Sequence, residues 1–224
     1  MIRAVALSAL LFAACPAQAQ SRHYALDPVH TRVLFAVGHA GFSQALGTVS
    51  GSTGEVVFDP SDWRTARVEV EVPLANLDLG DPDWNAAVLG RRLLRVETYP
   101  SARFVSTSVT PRDATHARVC GDLSLHGATA PLCLEVTLNA LERHPMPPFR
   151  QTAGFSATGT LDRRTFGIDA WEGVIGDAVE LRIEAEAVRS RDDAPATNAA
   201  ETSVAEPPPS ESESESESES DQPT

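Results

Sequence analysis

Along most of this chain, apolar and polar residues take turns. Val68, Val70 and Val72 are separated by Glu69 and Glu71. Leu132, Leu134, Val136 and Leu138 are separated by Cys133, Glu135 and Thr137. Val179, Leu181, Ile183, Ala185 and Ala187 are separated by Glu180, Arg182, Glu184 and Glu186. A period of two sends successive side chains to opposite faces of a strand, so each segment has one dry face and one wet face. Many such strands in one small domain must either share a core or close around an interior. What fills that interior decides the function.

The two ends of the chain read differently. Met1-Ile2-Arg3 is a short basic start, and Ala4 to Ala14 is an apolar run. That run has the length of a signal-peptide core and falls well short of the roughly 20 residues of a spanning helix. Ala17-Gln18-Ala19 supplies a small-x-small cleavage site, predicting a mature start at Gln20 and export to the periplasm. The other reading is lipoprotein anchoring at Cys15, in Phe12-Ala13-Ala14-Cys15. At the far end, residues 191–224 are mostly Asp, Ala, Pro, Thr, Glu and Ser, finishing in alternating Ser and Glu from Ser210 to Ser220. Neither face of that alternation is apolar, so it is a disordered tail rather than a strand. The single folded domain is expected over residues 20–190.

The net charge of −13 is largely a property of the tail. Ten of the 31 acidic residues lie there, and every basic residue is Arg. Setting aside Arg3 and Arg191 leaves 21 acids against 16 arginines, a net charge near −5. No basic patch points to nucleic acid. Cleavage removes Cys15 and leaves Cys120 and Cys133, both on the wet face of one hairpin turning near Gly127. An oxidising compartment favours a disulfide between them. Depending on register, they stand directly opposite or one step diagonal.

The segments fall in order as strands at 31–39 (with Val33, Phe35 and Val37 inward), 46–51, 55–59 (Val56 and Phe58) and 66–73. One helix follows. Asp81 is its N-cap, Pro82 occupies its first turn, and Trp84, Ala87 and Val88 recur at helical spacing. Strands at 102–109 (Phe104), 117–126, 131–141, 151–161 and 178–189 complete the domain. Their connections are mostly short, which predicts antiparallel pairing. About eight strands can close into a barrel with room for one ligand.

Several stretches, in order, carry a family resemblance. They are Asp27-Pro-Val-His30-Thr31, Phe35-Ala-Val-Gly-His39-Ala-Gly41, Val57-Phe58-Asp59-Pro60, Tyr99-Pro100-Ser-Ala-Arg-Phe104, Gly121-Asp-Leu-Ser-Leu-His126-Gly127 and Arg164-Thr-Phe166-Gly167-Ile168. Together they resemble the YceI family over roughly residues 24 to 188. The resemblance implies a secreted, lipocalin-like antiparallel barrel with one packed helix. It also implies a polyisoprenoid or similar long-chain amphiphile, such as a quinone, held in an apolar tunnel, with no cofactor besides that lipid. The chain departs from the pattern at Leu93-Leu94, where the family often carries an aromatic residue.

The candidate ligand-binding set is Phe35, Val37, Phe42, Phe58, Val68, Val70, Phe104 and Phe155, with His30, His39 and Arg164 near a polar mouth. Small inward residues such as Ala153, Ala157 and Gly159 leave volume and the phenylalanines shape it. Pattern alone serves a filled core equally well; the resemblance favours a tunnel. His30 and His39 lack a third ligand motif for a metal. Gly154-Phe-Ser156-Ala-Thr-Gly159 has the wrong spacing for a nucleophile elbow, and the glycines of 47–54 are not followed by Lys and a helix. The reading is therefore a non-enzymatic periplasmic carrier that contacts membranes to exchange its ligand. The rivals are a lipid-modifying enzyme, which needs an acid or base inside the cavity, and an envelope protein whose acidic tail recruits a partner. A dimer is compatible with the sequence.

Overall fold

The computed structural model describes residues 21–191; the expected leader and tail lie outside the described residues. Eleven strands run in chain order as β1 Arg22–Leu26, β2 Arg32–His39, β3 Ser43–Ser50, β4 Thr53–Phe58, β5 Arg67–Pro73, β6 Leu77–Asp78, β7 Ser101–Pro111, β8 His116–Leu125, β9 Ala128–Arg143, β10 Gln151–Asp162 and β11 Ile175–Arg189. One α-helix, α1, spans Pro82–Leu89. All strand pairings are antiparallel. Eight strands close a ring in the order β1-β4-β5-β7-β8-β9-β10-β11, and β11 pairs back onto β1.

β11 is long enough to serve two partners. Its C-terminal part, Ala187 to Arg189, pairs with β1. Its earlier part, Ile175 to Glu184, pairs with β2. β2 continues through β3 to β6, and a 3-10 turn, Leu74–Asn76, joins β6 to the end of β5. The stretch of wall between β11 and β5 is thus built by β1 and β4 at one end of the barrel and by β2, β3 and β6 at the other. The short β1 and β6 lacked a readable alternation, and the sequence reading passed over both.

Periodicity placed the faces correctly. Arg67, Glu69 and Glu71 of β5 are exposed, and Val68, Val70 and Val72 turn inward. On β8, Ala117, Val119, Leu123 and Leu125 are buried. Cys120 stands directly opposite Cys133 across the β8–β9 hairpin, with their Cα atoms 4.0 Å apart and a disulfide between them. Both belong to the outer-face set, so the bridge staples the hairpin without entering the interior. The turn at 126–127 is left-handed at both residues. His126 Nδ1 there donates to the Phe166 carbonyl oxygen at 3.0 Å, tying the hairpin to the β10–β11 connection.

α1 begins as its sequence dictates. The Asp81 carboxylate accepts from the N–H groups of Asp83 and Trp84, each at 3.0 Å, and Pro82 sits in the first turn. None of its residues is fully buried, because the helix spans an opening rather than a packed surface.

Candidate functional site

A closed sheet hides its inner face from bulk solvent, so inward side chains should be fully covered if the centre is filled. Those of β8 are. Val33 and Phe35 of β2, Val68 and Val70 of β5, and Leu181 and Ile183 of β11 are only half-buried, although they point inward. The space they face is empty: the barrel encloses a cavity of about 830 Å³. That lies in the roughly 300–1,000 Å³ range of small-molecule sites. Apolar side chains dominate the wall, and its titratable side chains among the described residues are His39, Arg91, Arg92 and Arg163. Among the described residues no carboxylate or thiol lines it.

The two ends of the cavity differ. At one end the lining residues Leu26, Phe58, Trp63 and Ala66 are fully buried. Phe58 is 1% exposed and meets Trp63 and Phe155 edge-on, at ring separations of 4.9 and 5.7 Å. This edge-to-face packing is the favoured aromatic geometry, and it makes a floor. At the other end, lining residues are exposed: Trp84 on α1, Arg91 and Arg92 after it, and Trp171 and Val174 in the β10–β11 connection. This end is the mouth, with α1 lying across it.

Of the residues singled out from sequence, Phe35, Val37, Phe58, Val68, Val70, Phe104, Phe155 and His39 line the cavity. Three do not, and the expectation for each is corrected. Phe42 is 93% exposed on the turn joining β2 and β3. Strand alternation does not extend through a turn whose preceding residues, Ala40 and Gly41, have φ of 51° and 75°. His30 lies before β2, at the opposite end of that strand from His39. It is exposed and hydrogen-bonds Asp27 at 2.8 Å. Its donor atom also falls within 4.8 Å of those of Asp27 and Glu186. Arg164 is exposed and bonds Glu172 at 2.7 Å. That bond raises the affinity of the guanidinium for its proton and holds the Glu172 carboxyl below its ordinary value.

The neighbouring arginine takes the inner position. Arg163 is almost completely buried and lines the cavity. Its guanidinium donates to the carbonyl oxygens of Ile168, Ala170 at 3.0 Å, Ile175 at 3.0 Å and Gly176 at 2.9 Å, and to Asp177 at 3.2 Å. All five guanidinium N–H groups are used. The charge is therefore committed to shaping the 168–177 segment that carries Trp171 and Val174. The sequence offered Arg163-Arg164 as a pair, and only the fold decides which one turns in. The Asp162 carboxylate accepts from the Arg164 N–H at 2.9 Å and starts a 3-10 turn that ends at Gly167, with φ 67°.

Comparison with known proteins agrees with this architecture. The YceI-like domain model matches residues 24–187. A UPF0312 protein of Pseudomonas savastanoi pv. phaseolicola is 32% identical over 192 residues, covering 85% of this chain and 97% of the relative. One from Pseudomonas putida strain W619 is 32% identical over 190 residues, covering 84% and 96%. Among solved structures, Burkholderia cenocepacia BcnA superposes with a TM-score of 0.64 at 23% identity, covering 72% of this chain and 98% of that one. A polyisoprenoid binding domain from Saccharophagus degradans, implicated in plant cell wall breakdown, gives 0.55 at 15% identity, covering 75% and 98%. These structural likenesses concern the fold. The chain belongs to the YceI-like family.

Proposed function

We propose that this YceI-like protein is a periplasmic carrier that holds a polyisoprenoid, or a similar long-chain amphiphile, tail-first in its barrel. The observation that carries the reading is the apolar cavity of about 830 Å³, floored by Phe58 and Trp63 and open beside Trp84 and Trp171. Each methylene moved from water into such a wall contributes about 0.8 kcal/mol. A few isoprene units therefore supply micromolar binding after the costs of association. The polyisoprenoid binding domain of similar fold supports the ligand class, and the N-terminal sequence pattern supports the periplasm.

Binding, rather than catalysis, fits the wall. General acid–base chemistry needs a titratable group within hydrogen-bond reach of the reacting atom. Arg163 has its protons engaged, and His39 sits at the mouth against Trp84, with ring centroids 5.3 Å apart. A polar head would rest beside His39, Arg91 and Arg92, which replace the sequence-based choice of His30 and Arg164. Contact with a membrane would allow exchange.

The test is extraction of the purified native protein into organic solvent, followed by mass spectrometry. A long-chain isoprenoid at a constant ratio to protein is expected. Repeated preparations that yield no long-chain species would overturn the proposal.

A further inference from the structure

Several large apolar side chains are exposed around the mouth. Phe42 is 93% exposed, and Trp171, Trp84 and Val174 are between 41% and 52% exposed. They come from three separate segments that the fold joins into one rim. The Ala40 N–H donates to the Val174 carbonyl oxygen at 2.6 Å, which couples the β2–β3 turn to the β10–β11 connection. Trp84 lies against His39, and Arg92 sits 5.0 Å from the centre of the Trp171 ring. Ala40, Gly41, Trp171 and Gly173 all have positive φ, which marks two tight turns at this end. Large exposed side chains scattered singly need no explanation, but a contiguous group rimming a cavity does.

Charge favours one occupant for this rim. Arg91, Arg92 and Arg95 follow α1, and among the described residues none of the three is in an ion pair. Glu97 is the one carboxylate in the 91–99 stretch, and Asp81 and Asp83 sit at the start of α1, on the Trp84 side of the rim. The acids of the β10–β11 connection, Asp169, Glu172 and Asp177, are engaged by Arg163 and Arg164. Exposed aromatics beside unpaired arginines suit the boundary between acyl chains and anionic headgroups.

We propose that this rim, formed by Phe42, Trp84, Trp171, Val174 and Arg91, docks on an anionic lipid bilayer and sets the cavity mouth against it. The proposal rests on the carrier reading for its purpose but is tested without any cargo. Full-length protein is floated with vesicles of phosphatidylethanolamine and phosphatidylglycerol, both as purified and after lipid stripping. Both forms should float. The double variant Phe42→Ser with Trp171→Ser should partition roughly tenfold less or weaker still, because two large apolar side chains lose their contact with lipid. Met146→Ser with Phe149→Ser removes exposed apolar residues from the β9–β10 connection and should float like the parent.

Should the rim variant fail to fold, vesicles with brominated acyl chains give a second measurement on the unaltered protein. Trp84 and Trp171 should be quenched, and buried Trp63 should not. Failure of the unaltered protein to float, or equal flotation of the two double variants, would overturn the docking proposal. So would rim-dependent dimerisation without vesicle binding. Extracted lipid with no flotation defeats docking alone, and flotation with no extracted lipid upholds docking and defeats the carrier reading.

Discussion

The ring of Phe35 lies against Gly47, its direct partner on the neighbouring strand: a Cβ placed on Gly47 would come 2.3 Å from Phe35 Cζ. Phe104 likewise lies over Gly121, diagonal to its direct partner Leu123: a Cβ on Gly121 would come 2.7 Å from Phe104 Cζ, besides meeting the Val105 carbonyl oxygen. A ring seated over a neighbouring glycine takes the room that a Cβ would otherwise fill. This is how a chain with several inward phenylalanines keeps a hollow centre.

Gly47→Ala should therefore push Phe35 into the cavity. Overpacking of this kind costs about 1–3 kcal/mol, and urea unfolding would register it. Ligand recovered by extraction should fall in the protein that still folds. Gly47→Ala combined with Phe35→Leu should restore stability and capacity together.

Arg163→Leu should leave four carbonyl groups and Asp177 without their guanidinium partner. The expected loss is on the order of 3 kcal/mol, since a buried network is being broken rather than replaced. Limited proteolysis should cut first within 168–177. Arg164→Leu, which removes an exposed ion pair, should change stability by less than about 1 kcal/mol.

Reducing the Cys120–Cys133 disulfide should lower stability without emptying the cavity. The chain-entropy argument for a loop of 13 residues gives about 3 kcal/mol as an upper figure, because the β8–β9 ladder already holds the strands together. Cys120→Ser with Cys133→Ser should match the parent in extracted lipid and unfold at lower denaturant.

Two groups contribute opposite pH dependences. Hydrogen bonds from the Thr115 N–H, the His116 side chain and the His116 N–H bring the Asp113 carboxyl down to about 2 from its usual 3.8. A depressed acid stabilises the fold when ionised, so this contribution is complete above about pH 4 and disappears as pH falls toward 2. The Asp27 hydrogen bond and charge raise the His30 pKa above its usual 6.5. A raised base stabilises when protonated, so its contribution is complete below pH 6.5 and disappears as pH rises through the folded value. Denaturation midpoints across pH should fall less steeply on the acid side in Asp113→Asn and less steeply toward neutral pH in His30→Ala.

Strand alternation made the wall legible in advance, because burial on one face leaves a period of two in the residues themselves. Val68, Val70, Phe104 and Phe155 were found that way, and α1 was found from Asp81 and Pro82. The mouth was not legible. Phe42 and Trp171 project from turns, where no period operates, and Arg163 differs from Arg164 only in which way a 3-10 turn faces it. Whether the centre was filled or hollow was equally hidden, because the same apolar letters serve both until Phe35 is seen resting on Gly47.

The aromatic plug at Phe58 and Trp63 makes the barrel a sack rather than a pipe. In the proposed carrier, cargo entering past Trp84 would back out past Trp84, so loading and delivery would share one doorway and could not proceed at once. On that reading the depth of the sack, from the doorway to Phe58, would cap how many prenyl units it could stow, and a longer tail would trail outside.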